Sequence, residues 1–173
     1  ETPSEIRGKN SSTKIEAITN NSKASKLTNT VTILLPYRPP FDWQLMLSFF
    51  RHRQIVAIEK VSENEYCRSF ILENCHGWFK ISQPQQKPSY KTKHALQLTV
   101  SMSDYSYLNQ VIVRVRKMFD LDADMSVIHQ QLGSHCVLKR VIDKHPGLRL
   151  PSCWDIFEFT IRAILGQQIS VKA

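Results

Sequence analysis

The chain has 173 residues, 42% of them apolar and 22% charged, with eight Phe, five Tyr and three Trp. That composition suits a soluble globular protein with one domain of ordinary size and some chain to spare. No stretch stays apolar for the roughly 20 residues a membrane-spanning helix needs, and the polar first residues hold no apolar signal region.

Net charge is +8, from 23 Lys plus Arg against 15 Asp plus Glu. Two readings fit it, a basic but ordinary soluble surface or attraction to a polyanion such as nucleic acid. The charge is spread along the chain and does not choose between them. The four cysteines, Cys67, Cys75, Cys136 and Cys153, form no CxxC pair. They read as reduced thiols in a cytoplasmic protein rather than as a zinc ribbon or redox motif.

Residues 1–30 are rich in Ser, Thr, Asn and Lys and contain no aromatic residue. Such a segment buries too little apolar surface to offset its ordering entropy, so a flexible linker is expected. At Val31 the composition changes. "TVTILLPY" predicts a strand with Val31, Ile33 and Leu35 on one side, ended by Pro36. "RPPFDWQLMLSFFRHR" predicts a helix with Pro39 and Pro40 at its entrance and Asp42 in its first turn. Phe41, Leu45 and Phe49, with Trp43, Met46 and Phe50, recur at three-to-four spacing and make that helix largely buried. Arg51, His52 and Arg53 suit its C-terminal end.

Short strands follow: "QIVAIEKV", "EYCRSFIL", "GWFKIS" and, past a polar Pro-containing loop, "HALQLTVSM". In the last, Leu96, Leu98, Val100 and Met102 alternate with Gln97, Thr99 and Ser101, as in an antiparallel sheet with one packed face. From Ser103 the period lengthens to that of a helix. Ser103 or Asp104 caps a helix to Phe119 with Leu108, Val111, Ile112, Val115 and Phe119 inward. "LDADMSVIHQQLG" and "CVLKRVIDKHPG" predict two shorter helices. Ser152 and Asp155 then form a capping-box-like pair before a last helix whose core face is Trp154, Phe157, Ile161, Ile164 and Leu165. The expected fold class is α+β: an antiparallel sheet of about five strands covered by helices on one face, then the first helices of an all-α domain. The expected organisation is a linker over 1–30, a sheet domain over 31–120 and a helical domain that begins over 121–173.

No catalytic set is visible. There is no Gly-rich phosphate loop and no GxSxG, and the six His lack metal-ligand spacing. "DLDADMS" has alternating Asp but neither the Gly nor the distant Glu of a calcium loop. No metal or organic cofactor is expected.

Three segments occur in order: "LPYRPPFDWQLMLSFFRHR", "MFDLDAD" and "HPGLRLPSCWDIFEFTIRAILGQQIS". Together, over residues 31 to 173, they resemble the bacterial DNA-3-methyladenine glycosylase II family, the AlkA type. "ILGQQIS"-like strings occur across helix-hairpin-helix glycosylases generally, and "YRPPFDW" narrows the resemblance to this branch, away from enzymes of oxidised guanine. "TPSEIR", Thr2 to Arg7, is similar to the end of AraC-type helix-turn-helix domains, which implies a parent fused behind an Ada-like module.

The resemblance implies that this chain is the N-terminal portion of a monomeric bacterial repair enzyme acting on double-stranded DNA with alkylated bases. The helix-hairpin-helix and the catalytic Asp would lie beyond Ala173, leaving no catalytic residue here and an inactive fragment. It puts Phe49 where family members place an aromatic at the base pocket. The residues alone also fit Phe49 to the buried stripe of its helix. It aligns Gln168 with the wedge that fills the gap left by a flipped base, beside Gln167, with Gly166 admitting DNA close to the backbone. Gln in place of an aliphatic wedge departs from the best-known pattern, and two glutamines at a helix end also serve simply as a cap. Arg53, Lys139, Arg140, Lys144 and Arg149 are expected at the surface. The alternative from another class is a non-catalytic DNA-docking or protein-interaction domain of a regulator.

Overall fold

The computed structural model describes residues 30–84 and 94–168, with the side chains of Gln167 and Gln168 outside that description. The linker expected over 1–30 therefore lies almost entirely outside the described residues, as do most of the polar loop before the last strand and the final five residues.

Five strands form one sheet: β1 (Val31–Pro36), β2 (Glu59–Val61), β3 (Glu65–Leu72), β4 (Cys75–Ser82) and β5 (Ala95–Met102). Their order is β1-β5-β4-β3-β2, and every neighbouring pair is antiparallel. β3 and β4 are joined at Glu73-Asn74, where Glu73 takes φ 55°. Of "QIVAIEKV" only the last three residues are strand, because Ile55 to Ile58 turn back on themselves through Ile58 N–H to Ile55 O at 2.9 Å.

Cross-strand partners share a face, so the register defines the core. Leu35 faces Leu96, Leu98 faces both Ile33 and Ile81, Val100 faces Phe79, and Tyr66 faces Ile81. Most of these side chains are fully buried, each stabilising the fold by about 1.5–3 kcal/mol for an aliphatic or Phe side chain. Gly77 faces Phe70 and Met102, and a Cβ there would lie 2.3 Å from the Ser101 carbonyl oxygen.

Two helices cover this face. α1 (Trp43–Arg53) buries Trp43, Met46, Leu47 and Phe50, while Leu45 is exposed and Phe41 and Phe49 are half-buried. Asp42 is its N-cap rather than a first-turn residue: Oδ1 accepts from Leu45 N–H at 2.9 Å. Pro39–Pro40 is a cis bond ahead of the cap. After a short 3-10 turn capped by Asp104, α2 (Leu108–Met118) buries Val111, Val115 and Met118. Phe119 then meets Phe50 at 5.1 Å, Tyr66 at 5.5 Å and Trp43 at 5.8 Å between ring centroids.

α3 (Met125–Leu132) and α4 (Cys136–Lys144) follow, and α5 (Ile156–Gln168) is last. Asp124 caps α3 through Ser126 and Val127. Asp155 caps α5 by accepting from Glu158 N–H at 2.8 Å, so the cap is Asp155 itself rather than a Ser152–Asp155 pair. The core face expected for α5 is also corrected. Trp154, just before the helix, packs tilted against Phe70 at 5.2 Å and Phe79 at 5.1 Å between ring centroids, but Phe157, Ile161, Ile164 and Leu165 are all exposed.

One side chain on the packed face of β3 is charged. Arg68 stands opposite Glu59 and Phe79, is 4% exposed, and donates to Glu59 Oε1 at 2.6 Å. Tyr66 Oη donates to the same oxygen at 2.5 Å. On the far side Arg68 pairs with Glu158 of α5. Burial works to lower the Arg68 pKa, but the bonds to Glu158 and the surrounding carboxylates outweigh it and hold the guanidinium above its ordinary value. Burial, with Glu59 adding to it, raises the Tyr66 phenol, which stays neutral.

Candidate functional site

The N-terminus of α1 is pinned by the loop that precedes α5. Asp42 N–H donates to the Gly147 carbonyl at 2.9 Å, and a Cβ on Gly147 would approach Asp42 N to 2.5 Å. Glycine is required here by proximity, not by a left-handed backbone.

Two residues further, Arg149 enters the protein instead of leaving it, contrary to its expected surface position. It is 4% exposed and donates to the carbonyls of Asp120 at 2.8 Å, Ala123 at 3.1 Å, Pro40 at 3.0 Å and also Arg38. Its guanidinium carbon lies 5.4 Å from the Phe41 ring centroid. Burial lowers its pKa, partly offset by Asp120 and Tyr37. Arg149 thus ties the segment before α1, the turn after α2 and the loop before α5 to one another.

Between α1 and this loop lies a cavity of about 300 Å³. Leu45, Phe49 and Arg53 border it from the helix, and Leu148, Arg149 and Pro151 from the loop. Phe49 reaches both the core and the cavity. It packs edge-on against Phe50, 5.4 Å between centroids at 85°, while remaining half-buried at the cavity wall. Arg53, one helical turn on, lays its guanidinium carbon 4.2 Å from the Phe49 centroid. The Arg53 backbone carbonyl accepts from the Arg162 guanidinium of α5, so the rim of the cavity also joins α1 to α5.

Chemically the cavity is an apolar and aromatic wall with cationic groups beside it. The acid at its edge, Asp42, is occupied in capping α1. The described residues hold no group of three or more His, Cys, Asp or Glu that could bind a metal ion. Ser48 and His52 also border the cavity, one turn apart, with the His52 ring nitrogen Nδ1 2.7 Å from the Ser48 backbone carbonyl oxygen.

Gly166 is not part of this cavity. It lies exposed near the C-terminal end of α5, and a Cβ there would meet nothing within 4 Å. The backbones of Gln167 and Gln168 complete α5. Arg53 and Arg149 were legible only as basic residues. Arg53 stands at i+4 from Phe49, where helix geometry stacks the two side chains, and Arg149 lies between Leu148 and Leu150 in a loop that must dock.

Among the described residues no helix is long and apolar enough to cross a membrane. Compared with known proteins, residues 32–155 match the model of the AlkA N-terminal domain. Over 137 residues, 79% of this chain and 44% of the relative, the sequence is 31% identical to DNA-3-methyladenine glycosylase 2 of Escherichia coli (strain K12). Over 150 residues, 87% of this chain and 29% of the relative, it is 31% identical to a probable bifunctional transcriptional activator/DNA repair enzyme AlkA of Mycobacterium tuberculosis (strain CDC 1551 / Oshkosh). The chain thus spans less than half the length of these curated relatives. The fold resembles that of a 3-methyladenine DNA-glycosylase from Archaeoglobus fulgidus, with a TM-score of 0.62, 17% identity, and coverage of 81% of this chain and 45% of that one. The sheet with its covering helices, the residues from Thr32 to Asp155 and the full-length relatives agree, and the chain belongs to the AlkA N-terminal domain family.

Proposed function

We propose that this chain is the N-terminal part of a DNA repair glycosylase that flips alkylated purines, of the 3-methyladenine type, out of duplex DNA and hydrolyses their N-glycosidic bonds. The observation that carries this reading is Phe49: an aromatic ring at the wall of an open cavity, with a planar cation already against it. Alkylation at N3 or N7 makes a purine cationic and weakens its bond to the sugar. Such a base leaves without being protonated by the enzyme. It needs an aromatic surface, which favours a cation by about 0.5–2 kcal/mol per contact, and a carboxylate to stabilise the oxocarbenium-like sugar.

Phe49 supplies the surface. The carboxylate belongs to a catalytic Asp outside this chain, so residues 1–173 alone bind without cleaving. Gly166, Gln167 and Gln168, at the end of α5, meet the duplex: Gly166 lets backbone approach DNA, and Gln168 enters the gap and hydrogen-bonds the orphaned partner base. The enzyme works as a cytoplasmic monomer. The identity to relatives named as glycosylases supports this reading.

Base excision from methylated duplex DNA by the full-length protein tests it. The parent releases methylated purines, residues 1–173 release none, and Phe49→Ala lowers excision on the order of 10-fold. Full excision by Phe49→Ala with unchanged stability would remove Phe49 from both the pocket and the core.

A further inference from the structure

The ring face that a base would need is not free. Arg53 lies one turn beyond Phe49 on the same side of α1, with its guanidinium carbon 4.2 Å from the ring centroid, and both residues line the cavity. A guanidinium is a flat, delocalised cation, the same chemical class as a purine alkylated at N3 or N7. The Arg53 side chain is exposed, and its tie to α5 runs through the backbone carbonyl that accepts from Arg162. The side chain can therefore swing into solvent without disturbing the contact between α1 and α5.

We infer that Arg53 is a resident cation that occupies the ligand's place on Phe49, and that a base reaches the ring only by displacing it. This rests on Phe49 being the base-binding ring proposed above. The guanidinium covers the aromatic face while the cavity is empty and competes with every entering base. A neutral base replaces a cation on the ring by a weaker partner, whereas an alkylated base replaces one cation by another. Undamaged bases therefore remain excluded at little cost to cationic ones. The competition acts on binding and not on bond cleavage, so Arg53 sets KM.

The experiment is steady-state excision by the full-length protein on duplex DNA carrying an N7-methylated guanine. Variants are Arg53→Ala, Arg53→Lys, Phe49→Leu and the Arg53→Ala/Phe49→Leu double. The expected result is a KM lowered about two- to five-fold in Arg53→Ala with kcat unchanged. Arg53→Lys, which keeps a cation, stays nearer the parent, and the gain vanishes in the Phe49→Leu background, where no aromatic face remains. A KM that rises or stays constant in Arg53→Ala, while Phe49→Leu excises poorly, overturns the role of Arg53 and leaves the base pocket standing. A gain that survives in Phe49→Leu also overturns it, because it would not pass through the ring. Parent-like excision by Phe49→Leu removes the base pocket and this inference together.

Discussion

Arg68 of β3 and Glu158 of α5 meet at the junction of the sheet and the last helix, with Arg68 Nη1 3.3 Å from Glu158 Oε1 and Nη2 paired to Oε2. On its other side Arg68 holds Glu59, so one cation neutralises two acids from elements far apart in sequence. With Arg162 bound to the Arg53 carbonyl, this pairing anchors a helix whose apolar side chains otherwise remain exposed.

The cost of breaking this cluster depends on what remains buried. Arg68→Ala leaves Glu59 without its counter-ion inside the sheet, and stability should fall by about 3–5 kcal/mol. Glu158→Ala leaves Arg68 paired with Glu59, and Glu158 is itself 24% exposed. Its loss should cost about 1–2 kcal/mol. Urea unfolding midpoints give both values, and a larger loss in Glu158→Ala than in Arg68→Ala would contradict this account.

Arg149 donates its hydrogen bonds to main-chain carbonyls, with the Asp120 carboxylate acting on it only through its charge. Arg149→Met keeps much of the bulk but orphans those acceptors, so the chain should lose about 2–4 kcal/mol by the same measurement. Arg149→Lys should recover only part of this, because one ammonium cannot reproduce the planar fork.

The glycines separate fold from function. Gly147→Ala drives a Cβ into the backbone of Asp42. It should push the loop off α1, distort the cavity and lower thermal stability. Gly166→Ala meets no obstacle, and alanine in place of glycine within a helix should add about 0.5–1 kcal/mol. If backbone at Gly166 approaches DNA, the same variant of the full-length protein binds duplex more weakly while unfolding at a higher temperature. Unchanged affinity would place Gly166 away from the duplex.

The thiols should react in an order set by exposure and charge. Cys136 is exposed at the start of α4, and Cys75 is buried. Cys67 is half-buried, and burial reinforced by the Glu65 carboxylate pushes its thiol up to about 11. Its reactive thiolate is therefore scarce at pH 8 and grows only as pH nears that value. Iodoacetamide labelling followed by peptide mass spectrometry should find Cys136 modified first. Rapid modification of Cys67 at pH 8 would refute the order.

The sheet was legible because alternation in "HALQLTVSM" reflects one packed face directly, and β5 matches that stretch; β3, read only as a strand, proves to alternate in the same way. The same alternation places Arg68 inward, yet a basic residue is read as exposed until its partners are known, and Glu59 and Glu158 lie too far along the chain to be seen as such. Similarly, helical spacing identified Trp43, Met46 and Phe50 in α1 but missed the fully buried Leu47 and gave Leu45 the same standing as Met46, because three-to-four spacing cannot tell a core face from its rim. In α5, periodicity marked an apolar face and only contact reveals whether it is covered. Phe49 was read as core from its spacing and as pocket from the family resemblance; its ring meets Phe50 edge-on and borders the cavity.

Among the described strands β1 pairs with β5 alone, with Val31 opposite Val100. During synthesis on the ribosome the first strand therefore emerges long before this partner, and the β2–β3–β4 meander can assemble while it waits. The late step that seals the sheet is the capture of this early strand, and β1 is the segment most in need of protection from mispairing until that moment.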